Sequence, residues 1–356
     1  MKQNAELPES LNHALTMKNI LDSYFDGFAP NIFVPFRDKT ILVTGATGLI
    51  GSLICKALLF ANENYETHCT LIAVARDKRK LSRILEGYAT DDCLEVVECD
   101  LSKGEPEVEH VDYILHAAAV TKSKVMIEHP VDVAMTSLRG TEALLELARK
   151  AGARMVYISS MEVYGTLAPD EVADETRLGW IDLAAVRSCY PESKRMCECL
   201  CSAYAAQYDV KVCSARLAQT FGVGVLAGEN RAFAQFARSA MNGDDIILKT
   251  RGLSEGNYVN TIDCVAGLLT LLVRGDSGQA YNVANESSHG TIREVAETAS
   301  EAYGGLSDVV IDLDESNASG YAPDVHLRLS SAKLRGLGWK PLYSLVDSFI
   351  QLGDWI

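Results

Sequence analysis

A tyrosine and a lysine that are four residues apart, Tyr190 and Lys194, have the residue types and the spacing for acid/base chemistry. On a helix beginning near Pro191, this spacing puts both side chains on one face. A nearby ammonium group lowers the pKa of a phenol, so Tyr190 is expected to exchange a proton with a substrate hydroxyl near neutral pH. Ser160 ends a predicted strand, and its hydroxyl could hold the same substrate oxygen. Ser160, Tyr190 and Lys194 are therefore predicted to form a catalytic group.

Glycines at positions 45, 48 and 51 form a pattern that suits phosphate binding. They lie directly after an apolar run and directly before an apolar helical segment. At such a junction glycine allows a tight turn and a close approach to a pyrophosphate, and the helix N-terminus supplies N–H groups to the anion. The alternative is a glycine-rich turn that binds no ligand. The position of the motif favours a dinucleotide site, whose predicted contacts are Gly45, Thr47, Gly48, Leu49, Ile50 and Gly51.

The residue after the second predicted strand indicates which dinucleotide is bound. An Asp or Glu there binds the adenosine ribose of NAD, whereas an arginine binds the 2′-phosphate of NADP. The residue is Arg76, which favours NADP, whereas Asp77 turned toward the ribose would favour NAD. Lys194 is also expected to reach the nicotinamide ribose, close to Tyr190. The further predicted cofactor contacts, beside the adenine and its ribose, are Asp100, Leu101, Ala117, Ala118 and Ala119.

Short β-branched runs alternate with helical segments from residue 40 onward. This alternation predicts an α/β protein of Rossmann type with a doubly wound parallel sheet. After about residue 222 the pattern is less regular, which predicts a smaller C-terminal substrate-binding lobe. The predicted organisation is a helical appendage at 1–38, an NAD(P)-binding domain at 39–222 and mainly the substrate-binding lobe at 223–356. The predicted strands are 41–45, 71–75, 94–100, 113–119 and 154–160, and the predicted helices include 49–61, 137–150, 231–242 and 292–303.

The overall composition disfavours several classes of protein. A net charge of −15 over 356 residues opposes binding to a nucleic-acid backbone, and no apolar run approaches the length of a membrane span. The N-terminus lacks the layout of a signal peptide, and ten cysteines suit a reducing compartment, so a cytoplasmic protein is expected. Among Cys197, Cys199 and Cys201, only the first and the last share a helical face, and no metal site is predicted.

Seven segments follow one another in a characteristic order: TGATGLIG, HAAA, SLRGT, SSMEVYG, YPESK, ARLAQTFG and YNVAN. Together they resemble the extended short-chain dehydrogenase/reductases that modify nucleotide sugars, over about residues 39–345. The resemblance implies that Tyr190 and Lys194, with NAD or NADP, oxidise a sugar at C4. The 4-keto sugar is then epimerised, dehydrated or decarboxylated. The resemblance also implies a homodimer formed through the helices at 137–150 and 191–208.

Within this resemblance, the tripeptide at 160–162 narrows the choice among these reactions. In 4,6-dehydratase relatives the same strand end reads Thr-Asp-Glu, with the Asp as general acid and the Glu as base at C5. Met161 has no proton to donate, but Glu162 is present, as in the UDP-glucuronate decarboxylases, which read Thr-Ser-Glu. The resemblance therefore implies a UDP-glucuronate decarboxylase-like enzyme in which Glu162 is a further catalytic residue. Alternatively, Glu162 caps a loop or pairs with an arginine.

Other reactions stay open. They are 4,6-dehydration, 4-epimerisation and a net NADPH-dependent reduction of a nucleotide-activated sugar or polyol, which Arg76 would suit. A dinucleotide-binding protein without catalytic activity is disfavoured, because Ser160, Tyr190 and Lys194 are all present.

The substrate implied by the resemblance is a nucleotide sugar. Gln219 stands where the family usually has Asn, and Arg231 occupies the place of a phosphate-binding arginine of the decarboxylases. The Arg-Ser-Phe that is typical before the next strand is replaced by GNY at 256–258. Arg251 or Arg328 would have to supply the missing phosphate contact. The predicted substrate-binding residues are Gln219, Arg231 and Arg328.

Overall fold

The computed structural model describes residues 9–26, 32–88, 93–168, 171–226, 228–313 and 325–356. Its α-helices are α1 Glu9–Phe25, α2 Leu49–Tyr65, α3 Lys78–Ile84, α4 Ser123–Glu128, α5 Pro130–Ala151, α6 Cys189–Tyr208, α7 Ala232–Asn242, α8 Thr261–Arg274, α9 Ile292–Ala302, α10 Ala332–Arg335 and α11 Leu345–Gly353. Its strands are β1 Thr40–Thr44, β2 Thr70–Ala75, β3 Leu94–Glu98, β4 Tyr113–His116, β5 Arg154–Ser160, β6 Val172–Ala173, β7 Lys211–Leu217, β8 Gln219–Phe221, β9 Ile246–Leu248, β10 Glu255–Asn260, β11 Ala280–Val283, β12 Asn285–Thr291, β13 Val309–Ile311 and β14 Arg328–Leu329. Within the described ranges, no helix combines the length and the apolar character needed to cross a membrane.

The central sheet has seven parallel strands in the order β11-β7-β5-β4-β1-β2-β3. This confirms the predicted Rossmann-type α/β fold with a doubly wound parallel sheet. β1 pairs with β2 on one side and with β4 on the other, so the strand order reverses there. Ligands of such sheets bind outside the carboxyl ends of the strands at the point of reversal. The glycine motif, which directly follows β1, is therefore in the expected place.

Several element boundaries differ from the sequence-based prediction. β3 ends at Glu98 rather than 100, because the Asp100 side chain accepts hydrogen bonds from the Ser102 backbone N–H at 3.1 Å and hydroxyl at 2.8 Å, which turns the chain. β4 ends at His116 rather than 119, and the Ala118 N–H donates to the Thr44 hydroxyl at 3.2 Å. The helix expected to begin at 137 begins at Pro130, whose missing N–H is tolerated in a first turn.

By their contacts the described residues form two units, each described here by itself. Unit 1 comprises the residues up to Ile158 together with Met196–Cys213 and Leu272–Gln279. Its core includes the buried side chains of Leu42, Ile114 and Leu144. The amphipathic helix expected in the appendage forms α1, while residues 1–8 and 27–31 of the appendage lie outside the described residues.

Unit 2 comprises Ser159–Arg195, Ser214–Leu271 and Ala280–Ile356. It contains a three-stranded sheet in the order β12-β10-β8 and an aromatic cluster around Phe221, whose ring centroid lies 4.6 Å from that of Phe233 and 4.9 Å from that of Phe349. Both units are built from separate stretches of the chain. The domain boundaries expected after residues 38 and 222 stay predictions.

Candidate active site

Three of the four residues predicted to be catalytic lie together in unit 2. Ser160 is the last residue of β5, and its side chain is hydrogen-bonded to the phenol of Tyr190, which is only 7% exposed. α6 begins at Cys189, two residues earlier than predicted, so Tyr190 and Lys194 both lie within its first turns. The Lys194 Nζ is 5.8 Å from the centre of the Tyr190 ring. The structure therefore brings the predicted hydroxyl, phenol and ammonium groups into one cluster.

The pKa of Tyr190 differs from the sequence-based expectation. The pKa of Tyr190 is raised to about 12, chiefly by burial and in addition by the negative charge of Glu162. The hydrogen bond with Ser160 and the positive charges of Arg187 and Arg231 lower it, but by less than burial raises it. The expectation of a lowered pKa was wrong, because the spacing to Lys194 indicates a nearby ammonium but says nothing about how deeply the phenol is buried.

Glu162 follows the end of β5 in a short 3-10 helix, Met161–Tyr164. Its backbone N–H donates to the Ser160 hydroxyl at 3.2 Å, which fixes the turn that carries the carboxylate. The carboxylate forms a two-point ion pair with Arg187, at 2.6 Å from Oε2 to Nη1 and 3.0 Å from Oε1 to Nη2. The arginine partner named in the alternative expectation is therefore present, and the catalytic role of Glu162 stays a prediction.

Arg187 and Arg195 were both missed by the sequence reasoning. Arg187 lies in a second 3-10 helix, Val186–Ser188, three residues before Tyr190. Arg195 donates through Nε to the carbonyl of Val163 at 2.8 Å and through Nη2 to the carbonyl of Gly179 at 2.7 Å. Arg195 thus ties α6 to the segment that carries Glu162. The sequence did contain a signal for Arg187, because it is the only arginine in the ten residues before Tyr190.

The three predicted substrate residues are distributed over different elements of unit 2. Arg231 precedes α7, pairs with Glu229 at 2.8 Å and acts electrostatically on Tyr190. Gln219 begins β8 and lies opposite Tyr258 of β10. Arg328 is an exposed residue of β14. The pKa of His289 is lowered chiefly by burial of the imidazole, and the positive charge of Arg328 lowers it further. Arg231 is therefore the one of the three that the described interactions connect to the catalytic cluster.

The glycine motif in unit 1 forms a tight cradle after β1. Gly45 has a φ of +65°, and a Cβ on it would come within 2.7 Å of the Ala118 backbone nitrogen. A Cβ on Gly51 would collide with the carbonyl oxygen of Gly45. α2 begins directly after Gly48, which has no side chain with which to cap the first-turn N–H groups. These features fit a pyrophosphate, so Gly45, Gly48 and Gly51, with the first residues of α2, are the groups that would hold a dinucleotide there.

Arg76 and Asp77 follow β2 and have different surroundings. Arg76 is exposed. Asp77 is the N-cap of α3, and its side chain accepts a hydrogen bond from the Lys80 N–H at 2.9 Å. The carboxylate is thus occupied in stabilising a helix terminus, a role for which aspartate is well suited. Of the two residues, Arg76 is the better placed to meet a phosphate.

The remaining predicted cofactor residues lie in loops after their strands. The Asp100 carboxylate is held by Ser102 and lies 3.5 Å from the Lys103 Nζ, and the pKa of Asp100 is lowered chiefly by the Ser102 hydrogen bond. Leu101 is buried in the core of unit 1. Ala117 and Ala118 are half-buried, and Ala119 is exposed. Their roles in cofactor binding stay predictions.

A buried polar chain behind the glycine cradle was not predicted. The Thr44 hydroxyl is 2.8 Å from His116 Nδ1, and the Thr141 hydroxyl is 3.3 Å from His116 Nε2. Thr141 also contacts the Cys197 thiol at 3.3 Å. Thr44 in turn accepts from Ala118, so this chain links α5 and α6 to the loop after β4.

Comparison with known proteins identifies the family. The model of the NAD dependent epimerase/dehydratase family matches residues 41–284, which is more than half of the chain. The chain belongs to this family. It is therefore an enzyme of the NAD dependent epimerase/dehydratase type, as the resemblance implied.

The chain is also similar to individual members of this family. It is 30% identical to UDP-glucuronic acid decarboxylase 6 of Arabidopsis thaliana over 310 residues, covering 86% of this chain and 85% of the relative. It is 27% identical to UDP-glucuronic acid decarboxylase 1 of Xenopus tropicalis over 335 residues, covering 93% and 75%. Among solved structures, UDP-glucuronic acid 4-epimerase from Bacillus cereus, in complex with UDP-glucuronic acid and NAD, has the same fold, with a TM-score of 0.72, 19% identity and coverage of 89% and 98%.

Proposed function

We propose that this enzyme decarboxylates UDP-glucuronate by oxidising the sugar at C4 and then acting at C5. The observation that carries the proposal is the cluster in unit 2, in which Ser160, Tyr190 and Lys194 lie together and Glu162 follows Ser160 closely, with Met161 between them. The similarity to UDP-glucuronic acid decarboxylases supports the same reaction.

In the first step Tyr190 takes the proton of the C4 hydroxyl. Ser160, which is hydrogen-bonded to Tyr190, holds the same substrate oxygen, and Lys194 stabilises the phenolate that must form. When bound, a nicotinamide dinucleotide would supply the acceptor for the C4 hydride and later its donor.

The second step uses the carbonyl group that the first step creates. With a ketone at C4, the carboxylate on C5 belongs to a β-keto acid. The bond between C5 and C6 breaks, its electrons move toward the C4 oxygen, and carbon dioxide leaves. C5 then takes up a proton that comes from solvent water, and Glu162 relays this proton to the carbon. Dehydration would instead require a proton donor for the departing hydroxyl, and Met161 has none.

For the cofactor we propose NADP rather than NAD. Arg76 is exposed at the end of β2, and its neighbour Asp77 is engaged as the cap of α3. A guanidinium group pairs well with a 2′-phosphate, often through two hydrogen bonds.

For the assembly we propose a homodimer. α5 and α6 present exposed apolar side chains, among them Val131, Met135 and Met196. Burial of such side chains between two copies is favourable. Light scattering of the purified enzyme would test this, and a monomer at micromolar concentration would contradict it.

The expected cytoplasmic location also stays a prediction.

The reaction is tested by incubating the purified enzyme with UDP-glucuronate and analysing the products by mass spectrometry. We expect a UDP-pentose and one carbon dioxide per turnover. The other reactions give different results with suitable nucleotide sugars: dehydration gives loss of water, epimerisation gives a product of unchanged mass, and net reduction consumes one NADPH per turnover. Any of these in place of decarboxylation overturns the proposal.

A further inference from the structure

The ion pair between Glu162 and Arg187 lies beside the catalytic cluster. Its two contacts of 2.6 and 3.0 Å hold the carboxylate and the guanidinium in the paired geometry that fixes both groups. Both partners are partly exposed, at 30% for the Glu162 side chain and 44% for Arg187. Both also act electrostatically on the Tyr190 phenol, and they do so in opposite directions.

This arrangement bears on a difficulty in the proposed reaction. Glu162 acts at C5, and C5 of the proposed substrate carries a carboxylate. Two carboxylates at one carbon centre repel each other, and such repulsion is strong where water is partly excluded. An unpaired Glu162 would therefore oppose the binding of an acidic sugar but would not oppose a neutral one.

We propose that Arg187 is a charge-compensating residue that allows this enzyme to accept an acidic sugar beside Glu162. The inference rests on the proposed function, because it takes the substrate to be a uronic acid. Arg187 is a positioning residue in this scheme: it holds the Glu162 side chain and cancels its charge. In the competing arrangement, Arg187 leaves Glu162 and binds the substrate carboxylate directly.

The two arrangements make different predictions for a double variant. Arg187→Gln leaves Glu162 with an uncompensated charge, whereas Arg187→Gln combined with Glu162→Gln removes both charges. If Arg187 acts by compensation, the second change restores the binding of the acidic sugar. If Arg187 binds the substrate carboxylate itself, the double variant binds the acidic sugar as weakly as Arg187→Gln.

The experiment measures dissociation constants of UDP-glucuronate and UDP-glucose by calorimetry for the enzyme loaded with NADPH. The reduced cofactor cannot accept the C4 hydride, so the sugar is not consumed during the titration. For Arg187→Gln we expect UDP-glucuronate to bind at least about tenfold more weakly and UDP-glucose to change by less than about twofold. The double variant should return to within about threefold of Glu162→Gln alone. Arg187→Lys, which keeps the charge, should retain most of the affinity for UDP-glucuronate.

A matched control is Arg177→Gln, because Arg177 forms a partly exposed pair with Glu171 at 3.5 Å in the same unit. This control should leave both dissociation constants unchanged. Equal weakening of both ligands in Arg187→Gln would indicate a structural role and overturn the inference, as would a double variant that is not restored. Should Arg187→Gln fail to fold, the comparison of Arg187→Lys with wild type decides the matter: loss of UDP-glucuronate binding despite the retained charge overturns the inference.

A failure of the proposed function can be distinguished from a failure of the role proposed for Arg187. If wild-type enzyme does not convert UDP-glucuronate to a UDP-pentose, the proposed reaction is wrong whatever the variants do. If the wild type decarboxylates UDP-glucuronate but Arg187→Gln binds it normally, only the role of Arg187 is wrong.

Discussion

The phenol of Tyr190 is surrounded by groups that act on its proton in opposite directions. Burial and Glu162 raise its pKa, while Ser160, Arg187 and Arg231 lower it. With the pKa near 12, the phenol is protonated at neutral pH. In the proposed reaction, proton transfer from the C4 hydroxyl therefore depends on the few neighbours that stabilise the phenolate, so the rate should be sensitive to substitution of each of them.

We expect Tyr190→Phe to lower turnover by about 100-fold or more, because it removes the titrating group with little change in volume. Binding of the nucleotide sugar should be retained. Stopped assays of UDP-pentose formation and calorimetry of substrate binding check the two parts. Tyr208→Phe, at the exposed end of α6, is the control. Near-normal turnover in Tyr190→Phe would assign the proton transfer to another group.

Glu162→Gln should separate the two chemical steps. We expect the variant to reduce its bound cofactor on mixing with UDP-glucuronate, seen as absorbance of the reduced nicotinamide, and then to stall before product forms. Because Glu162 raises the pKa of Tyr190, its removal lowers that pKa, and the rate of the reduction step should rise at lower pH than in wild type. Stopped-flow traces across a pH series measure this shift.

The control for this variant is Glu171→Gln, which removes a carboxylate from a different ion pair. It should leave both steps and their pH dependence unchanged. If Glu162→Gln turns over at the wild-type rate, Glu162 does not act at C5, and 4-epimerisation or net reduction becomes the better description of the enzyme.

For single residues, the sequence predicted which side chains belong to the site better than it predicted their burial and their partners. Tyr190 and Lys194 could be found because a four-residue spacing on a helix fixes their common face. The partner of Glu162 could not be assigned, since it depends on the path of the chain between residues 165 and 187. The pKa of Tyr190 was predicted with the wrong sign for the same reason: burial arises from the packing of the whole unit.

At the scale of elements, the proposed preference for NADP rests on the junction between β2 and α3. β2 ends at Ala75, Arg76 follows, and Asp77 caps the helix. Capping engages the Asp77 carboxylate, and the Arg76 guanidinium is exposed. One short turn thus combines a stable helix start with a positive charge at the place where we propose that a 2′-phosphate binds.

We expect wild-type enzyme to bind NADP at least about tenfold more tightly than NAD, since a charge-assisted contact to phosphate contributes about 1.5–3 kcal/mol. Arg76→Gln should abolish this preference while leaving the affinity for NAD nearly unchanged. Fluorescence titration with both cofactors provides the dissociation constants. Arg79→Gln, in the first turn of α3, should behave as wild type. Equal or tighter binding of NAD by the wild type would contradict the assignment.

The parallel sheet and the types of its elements were predictable, whereas the ends of elements were less so. Apolar β-branched runs identified β1 to β5, because strands covered on both faces are apolar throughout. The expected ends of β3 and β4 were too late by two and three residues, at 100 and 119 instead of Glu98 and His116. Two polar side chains near the ends of the predicted runs, those of Asp100 and Thr44, accept hydrogen bonds from the backbone where the chain leaves β3 and β4.

At the scale of the whole molecule, buried thiols make stability depend on pH. Burial raises the pKa of Cys55 and Cys264 to about 12 and that of Cys69 to about 11. In the unfolded chain these thiols ionise near their ordinary value of 9.0. Above that value the unfolded state binds fewer protons than the folded state, so the free energy of unfolding falls as pH rises from about 9 toward about 12.

We expect each fully buried thiol to contribute about 1.4 kcal/mol to the loss of stability between pH 7.5 and about pH 10. The three tryptophans, Trp180, Trp339 and Trp355, all lie in unit 2 with Cys264, so their fluorescence follows the unit that contains this thiol. Cys264→Ala will be less stable than wild type at pH 7.5, because it leaves a small cavity. Its further loss up to pH 10 should nevertheless be smaller by about 1.4 kcal/mol, since its ionisable group is gone.

Urea unfolding under reducing conditions at the two pH values gives the loss of stability for the variant and for wild type. The difference between these two losses does not depend on the cavity, because the cavity lowers the stability of the variant at both pH values. Cys199→Ala is the matched control, because Cys199 is exposed and its variant should lose as much stability as wild type. A Cys264→Ala variant that loses as much as wild type between the two pH values would show that the thiol does not remain protonated in the folded state. That outcome would contradict burial as the cause of a raised pKa in this unit. It would do so for the Cys264 thiol and equally for the phenol of Tyr190, whose pKa is raised by the same cause.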